Sequence, residues 1–312
     1  TTHDLARLVD TLFIDQVIIA MPSAPATEIR RIVDVCREVE VETRILPGLF
    51  ELINGRVSVN QLREVSLEDL LGREPVKLDT ALIASYLENK CVLVTGAGGS
   101  IGSELCRQIV RYQPRKLVLL GKGENSIFSI YQELQGRPEP VEFLPVIADI
   151  RDENRLENIF TELRPDVIFH AAAHKHVPLM EANVCEAVSN NIFGTRVVAE
   201  LASRFNVNTF VLVSSDKAVN PTSVMGATKR IAELIVQDLA AKSKTKYVAV
   251  RFGNVLASRG SVVPIWRQQI VNGGPVTVTH PEATRYFMLI PEAVQLILQA
   301  AALGAGGEIF VY

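Results

Sequence analysis

Short apolar runs alternate with longer stretches of helical periodicity along most of this chain. QVIIAM at 16–21 reads as a buried strand, 27–40 as an amphipathic helix and 41–45 as a second strand, one βαβ piece too small for a complete doubly wound domain. A polar connector with Gly55, Gly72 and Pro75 follows, which places a boundary near residue 80. Residues 1–80 are then a partial α/β unit and 81–312 the main domain. In the main domain strands are predicted at 91–95, 116–120, 142–148, 166–171, 209–214 and 247–252. Between them fall helices starting at 100 and spanning 126–134, 155–163, 186–205 and 225–241. That order predicts an α/β fold, a doubly wound parallel sheet covered on both faces, whose ligands lie beyond the carboxyl ends of the strands.

Bulk composition changes this picture little. Of 312 residues 48% are hydrophobic and 21% charged, with a net charge of −3, which fits a soluble α/β protein of about two domains. No basic excess points to nucleic acid, and a local basic pocket for a phosphorylated ligand remains compatible. Cys36, Cys91, Cys106 and Cys185 form neither a CxxC pair nor a zinc spacing, and read as buried free thiols of a reducing compartment. No apolar run approaches the roughly 18 residues that span a bilayer, and no signal peptide is visible. The chain starts TTHDLARL, without Met, and stops on strand-like GEIFVY, so a fragment of a longer protein is expected.

The candidate chemistry clusters at predicted strand ends. TGAGGSIGSE sets Gly96, Gly99 and Gly102 at G-x-x-G-x-x-G spacing, with Gly98, Ser100 and Ile101 between, where backbone can approach a pyrophosphate at a helix N-terminus. A Rossmann-like dinucleotide site is expected there. The acid that usually ends the second strand is missing from LVLLGKGE: Lys122 could meet a 2′-phosphate, or Glu124 could reach the ribose, so NAD is expected with NADP possible. Asp149 and Ile150 follow the third strand, Asp149 placed to accept from an adenine amino group, while Asp152 suits a helix cap. In HAAAHKHVPLME, Ala171, Ala172 and Ala173 let a cofactor pass close, and His174, Lys175 and His176 face a polar pocket without the spacing of a metal site. In SSDKAVNPTSVMGATKR, Met225 and Lys229 stand at i, i+4 on one helix face, where a Tyr would precede the Lys in a short-chain dehydrogenase. A thioether carries no proton. Trp266 and the QQI that follows read as core or lid packing.

SSDKAVNPTSVMGATKR, with RFGNVLASRGSVVP, THPEATRYFM and IPEAVQLILQ downstream, resembles the membrane-associated UDP-N-acetylglucosamine 4,6-dehydratases of bacterial polysaccharide synthesis, in the extended short-chain dehydrogenase family. The resemblance covers about residues 88–312, and 1–80 is similar to the cytosolic segment that follows the family's membrane helices. It implies a redox-neutral loss of water from a UDP-sugar. In that chemistry the C4 hydroxyl proton leaves through a hydrogen bond to Ser215 and passes to Asp216 or a water, Lys217 removes the C5 proton, Asp216 protonates the leaving C6 hydroxyl, and Lys229 holds the nicotinamide ribose. Met225 implies retention at C5. Asn254, Arg259 and Arg285 are implied substrate contacts, with cations suited to a diphosphate. The resemblance further implies the cytosolic portion of an inner-membrane protein and allows a homo-oligomer. An epimerase or reductase of the same fold, or a dinucleotide sensor without turnover, are the competing readings.

Overall fold

A computed structural model of the chain describes residues 4–21, 24–46, 63–64, 78–256, 258, 260–278, 280–282 and 284–312. Gly55, Gly72, Pro75 and Arg259 lie outside the described residues. The chain divides into two compact units, Thr1–Pro75 and Val76–Tyr312.

In the first unit β1 (Gln16–Ile19) and β2 (Glu42–Ile45) pair in parallel around helix Ala26–Glu38, the expected βαβ piece. Ile19, Ile29, Val33 and Cys36 form its core. A two-residue strand β3 (Arg63–Glu64), which no periodicity announces, adds to β2 antiparallel.

The second unit is the predicted sheet. Its strands are β4 (Cys91–Thr95), β5 (Lys116–Gly121), β6 (Glu142–Ile147), β7 (Val167–His170), β8 (Thr209–Val213) and β9 (Lys246–Arg251). After a two-stranded pair, β10 (Asn254–Val255) and β11 (Phe287–Met288), the chain returns as β12 (Ile309–Val311). The order β6-β5-β4-β7-β8-β9-β12 is parallel throughout and reverses direction at β4, the switch point of a doubly wound fold. Every residue of β4 and β8 is buried, as a central strand covered on both faces must be. Helices Thr80–Leu87, Ser100–Ile109, Glu124–Gln135 and Ile290–Leu303 supply one core layer. Helices Glu153–Leu163, Thr195–Arg204 and Val224–Lys242 supply the other. Asp152 caps its helix by accepting from Arg155 N at 3.0 Å, as expected.

The structure departs from the sequence reading at three further places. The helix expected over 186–205 is broken into Val184–Val188, a π-helical turn Ser189–Gly194 and Thr195–Arg204. The extra residue in that turn accompanies buried Asn191, whose side chain bonds His174 N, His174 O and Thr228 Oγ1 at 2.8–3.1 Å. Trp266 lies on helix Val262–Val271, which has no buried residue, so it is not core. Cys36, Cys91 and Cys106 are buried free thiols, but Cys185 is exposed. On the sheet edge, β6 carries Pro145; Glu142 N and Ala148 N point to β5, so position 145 points its backbone nitrogen outward.

His170, at the end of β7, is fully enclosed between Thr95 Oγ1 at 2.8 Å and Thr195 Oγ1 at 2.9 Å. Burial, with the Lys229 charge a smaller cause, pushes it from 6.5 down to about 3. The unfolded chain therefore takes up a proton that folded His170 refuses. Stability should fall as pH drops from about 6.5 toward 3, by at most about 1.4 kcal/mol per pH unit for this one group. Urea unfolding between pH 7 and pH 5 should show a flatter acid limb in His170→Gln than in the parent; identical limbs would remove His170 as the source.

Candidate active site

The turn after β4 is built on missing side chains. Gly96 has φ 67, and a Cβ there would stand 2.8 Å from the Ala172 backbone, at the start of the loop after β7. A Cβ on Gly102 would collide with the Gly96 carbonyl, so the helix Ser100–Ile109 can begin close under the turn only with glycine at that position. The result is a cleft of about 190 Å³ whose lining includes Gly98, Gly99, Lys122, Asp149, Ile150 and Ala173. Glu124 is exposed and outside that lining, leaving Lys122 as the nearer of the two sequence candidates.

Asp149 is less free than its position suggests. Both its oxygens accept from Arg151, at 2.7 and 3.0 Å, and the Arg151 hydrogen bond holds its carboxyl down to about 2. Arg151 reaches on to Glu186 at 3.0 Å, Glu186 contacts His174 Nε2 at 3.1 Å, and Lys122 Nζ stands 4.0 Å away. This clasp ties the loops after β5, β6 and β7 together. Arg151 and Glu186 were missed because each reads as an ordinary surface charge.

The second cleft, about 750 Å³, adjoins the first at Gly99, Ala173 and His174, and its lining runs on over Ser100, Ile101 and Ala171. Met225 and Lys229 share one face of helix Val224–Lys242, and both are buried against this cleft. Lys229 Nζ donates to the Val213 carbonyl at 2.6 Å. Burial pushes it down to about 8, against the opposing charge of Glu233. Met225 packs with Met180 and Ala187.

The turn after β8 brings the expected polar set together. Asp216 Oδ1 accepts from Ser215 Oγ at 2.8 Å and from Lys217 Nζ at 3.0 Å, and Lys217 Nζ also reaches Asn254 Oδ1 at 3.0 Å. Ser215 Oγ accepts from Lys217 N, which fixes the turn. A Cβ on Gly226 would collide with the Lys217 carbonyl, so this helix start and the turn touch through backbone. Across the cleft, Lys175 Nζ donates to Ser258 Oγ at 3.2 Å, and burial lowers its pKa. Arg285 lines the same cleft, with His280 and Trp266 beside it. Among the described residues no group of three His, Cys, Asp or Glu side chains is placed to hold a metal ion, and no helix is long and apolar enough to cross a membrane.

A glycine turn at the switch point, with a buried Lys one helical turn beyond position 225, is the site plan of an extended short-chain dehydrogenase. The chain belongs to the family described as polysaccharide biosynthesis protein, whose pattern matches residues 92–312. It is 55% identical over 311 residues, 99% of its length, to the capsular polysaccharide biosynthesis protein CapD of Staphylococcus aureus, and covers 52% of that relative. The chain thus spans about half the length of this curated relative. It is 31% identical over 227 residues to the UDP-N-acetylglucosamine 4,6-dehydratase (inverting) of Campylobacter jejuni serotype O:23/36, covering 71% of this chain and 66% of that one. Among solved structures, Pen from Bacillus thuringiensis superposes with a TM-score of 0.67 at 34% identity, covering 72% of this chain and 69% of the other.

Gly226→Ala should lower stability by about 1–3 kcal/mol in urea unfolding, because rigid backbone rather than a flexible side chain opposes the new methyl. Unchanged stability would mean that the turn at 216–218 yields without strain.

Proposed function

We propose that this chain carries the catalytic site of a nucleotide-sugar 4,6-dehydratase, converting UDP-N-acetylglucosamine to the UDP-4-keto-6-deoxy sugar in polysaccharide or glycan assembly. The observation that carries the reading is the contact of Lys217 with both Asp216 and Asn254: Lys217 and Asn254 line the cleft that also holds Met225 and Lys229, and exposed Asp216 meets Lys217 just outside that lining. An acid and a base on neighbouring residues suit loss of water across neighbouring carbons. The activity named for the Campylobacter relative supports the same class, and the family description supports the setting.

The residues present fit NAD. Gly96, Gly98 and Gly99 line the first cleft at the N-terminus of Ser100–Ile109, where a pyrophosphate would lie, and Asp149 and Ile150 border the adenosine end. Lys122 leaves NADP as the alternative. When bound, NAD supplies a hydride acceptor for C4 and a hydride donor for C6. Lys229 holds the nicotinamide ribose. The C4 hydroxyl proton passes through Ser215 to Asp216, already in contact at 2.8 Å. Lys217 removes the C5 proton, which the C4 ketone has acidified, and Asp216 gives its proton to the departing C6 hydroxyl. Lys217 then returns a proton to C5 from the face it came from. One base on one face retains configuration, in keeping with an inert Met225. Lys175 and Arg285 are cations on the cleft wall suited to the diphosphate, with His174 and Asn254 as polar contacts. Arg259 is a sequence-based candidate for the same role.

The length of the Staphylococcus relative supports reading the chain as one portion of a longer protein, which we propose is anchored to the inner membrane with this portion in the cytosol. A homo-oligomer is part of that proposal.

Incubation with UDP-N-acetylglucosamine and NAD should give a product lighter by one water. Lys217→Ala should lose at least about 10²-fold in rate with dinucleotide affinity kept. Product of unchanged mass would favour an epimerase, binding without turnover would favour a sensor, and a fully active Lys217→Ala would end its role as base.

A further inference from the structure

Behind the catalytic turn sits a carboxylate with no place in the chemistry above. Glu233, one helical turn past Lys229, has 0% exposure, and among the described residues no other carboxylate is so completely enclosed. It accepts four hydrogen bonds: from Ser214 Oγ at 2.5 Å, from Arg251 Nε at 2.8 Å and Nη2 at 2.6 Å, and from Arg230 Nη1 at 3.1 Å. A buried ion pair is weak evidence of stabilisation, because desolvation offsets much of the attraction and apolar side chains of similar volume often serve as well. What this pair offers is a fixed geometry.

The four donors come from places that matter. Ser214 is the residue before the Ser215-Asp216-Lys217 turn, and Arg251 ends β9 three residues before Asn254. Backbone bonds already join these strand ends, Ser214 N to Val250 O at 2.7 Å and Asp216 N to Phe252 O at 3.1 Å. Glu233 adds a side-chain bolt across the same two ends and fastens both to the helix that carries Met225 and Lys229. From that helix Lys229 reaches the last residue of β8, Val213. Downstream of the bolt, Lys217 Nζ and Asn254 Oδ1 meet at 3.0 Å across the gap it closes.

We infer that Glu233 is a positioning residue, holding the turn after β8 and the segment after β9 in register so that Lys217 and Asn254 meet beside Lys229. Its effect is therefore on the reacting groups and not on the cofactor cleft, whose lining comes from the loops after β4, β5, β6 and β7. The kinetic arm of the test rests on the dehydratase reading.

Glu233→Gln keeps the shape and removes the charge. With parental turnover in hand, it should lower kcat by about 10²-fold, the order expected of a reacting group moved by about 1 Å. Dinucleotide affinity should stay within about threefold. Amide exchange should quicken by about tenfold or more in 214–219 and 252–256 and stay unchanged in 91–102. The double variant Glu233→Gln with Arg251→Gln removes the more buried arginine together with its carboxylate, while Arg230 keeps 37% of its side chain exposed to water, so it should fold even where the single variant does not, and it should show the same kcat loss and the same local exchange. Parental kcat in either folded variant, or exchange that rises uniformly over the sheet, would reduce Glu233 to core packing and overturn the inference. If the parent protein does not turn over UDP-N-acetylglucosamine, the dehydratase reading fails, and the exchange pattern alone decides for or against Glu233.

Discussion

In a parallel sheet wound in two directions from β4, the helix between β4 and β5 covers one face and the helix between β6 and β7 the other, and the loops after β4 and β7 must then separate or touch. Here they touch. Gly96 meets the backbone at Ala172 with no side chain between them, and Gly102 lets the following helix tuck beneath the same carbonyl. Everything downstream depends on that approach, because it brings the helix N-terminus, the small residues at 171–173 and His174 to one rim. Larger side chains at these positions would pry the sheet open at its centre.

On the other side of the rim the problem is reversed, since charged groups have to be kept close together and partly dry. Lys229 is buried with a carbonyl to donate to, Glu233 is buried with two arginines and a serine, and Asp216 and Lys217 remain part exposed in contact with each other. The gradient runs from fixed charges deep in the helix layer to movable ones at the cleft surface. Under the proposed chemistry that is a workable division of labour, with deep groups setting geometry and shallow groups exchanging protons with a substrate.

How much of this was legible in the chain depended on whether local pattern or distant partners decided each element. β4 was read to the residue because five consecutive apolar or β-branched positions bounded by a glycine turn admit little else. The shared helix face of Met225 and Lys229 followed from spacing and held in space, whereas Asp216 and Lys217 were singled out by the resemblance and meet at 3.0 Å. Asn191 gave no such signal: its bonds to His174 and Thr228 join segments far apart in sequence, and the π-helical turn that accompanies them broke a helix that periodicity alone would have kept whole. Glu233 and Arg151 read as helix-surface and loop charges because nothing nearby in sequence reveals what they bind. The helix at 262–271 went unread since its apolar residues face the cleft and solvent and show no buried stripe.

Pro145 in β6 has an effect beyond its own strand. Its ring removes a donor from the outward row of an edge that would otherwise present a regular ladder of free backbone groups. A second sheet therefore finds a broken template on that flank. Copies of this domain can crowd together during synthesis with less tendency to fuse strand to strand, and encounters on that side are left to side chains, which discriminate between partners as bare backbone does not.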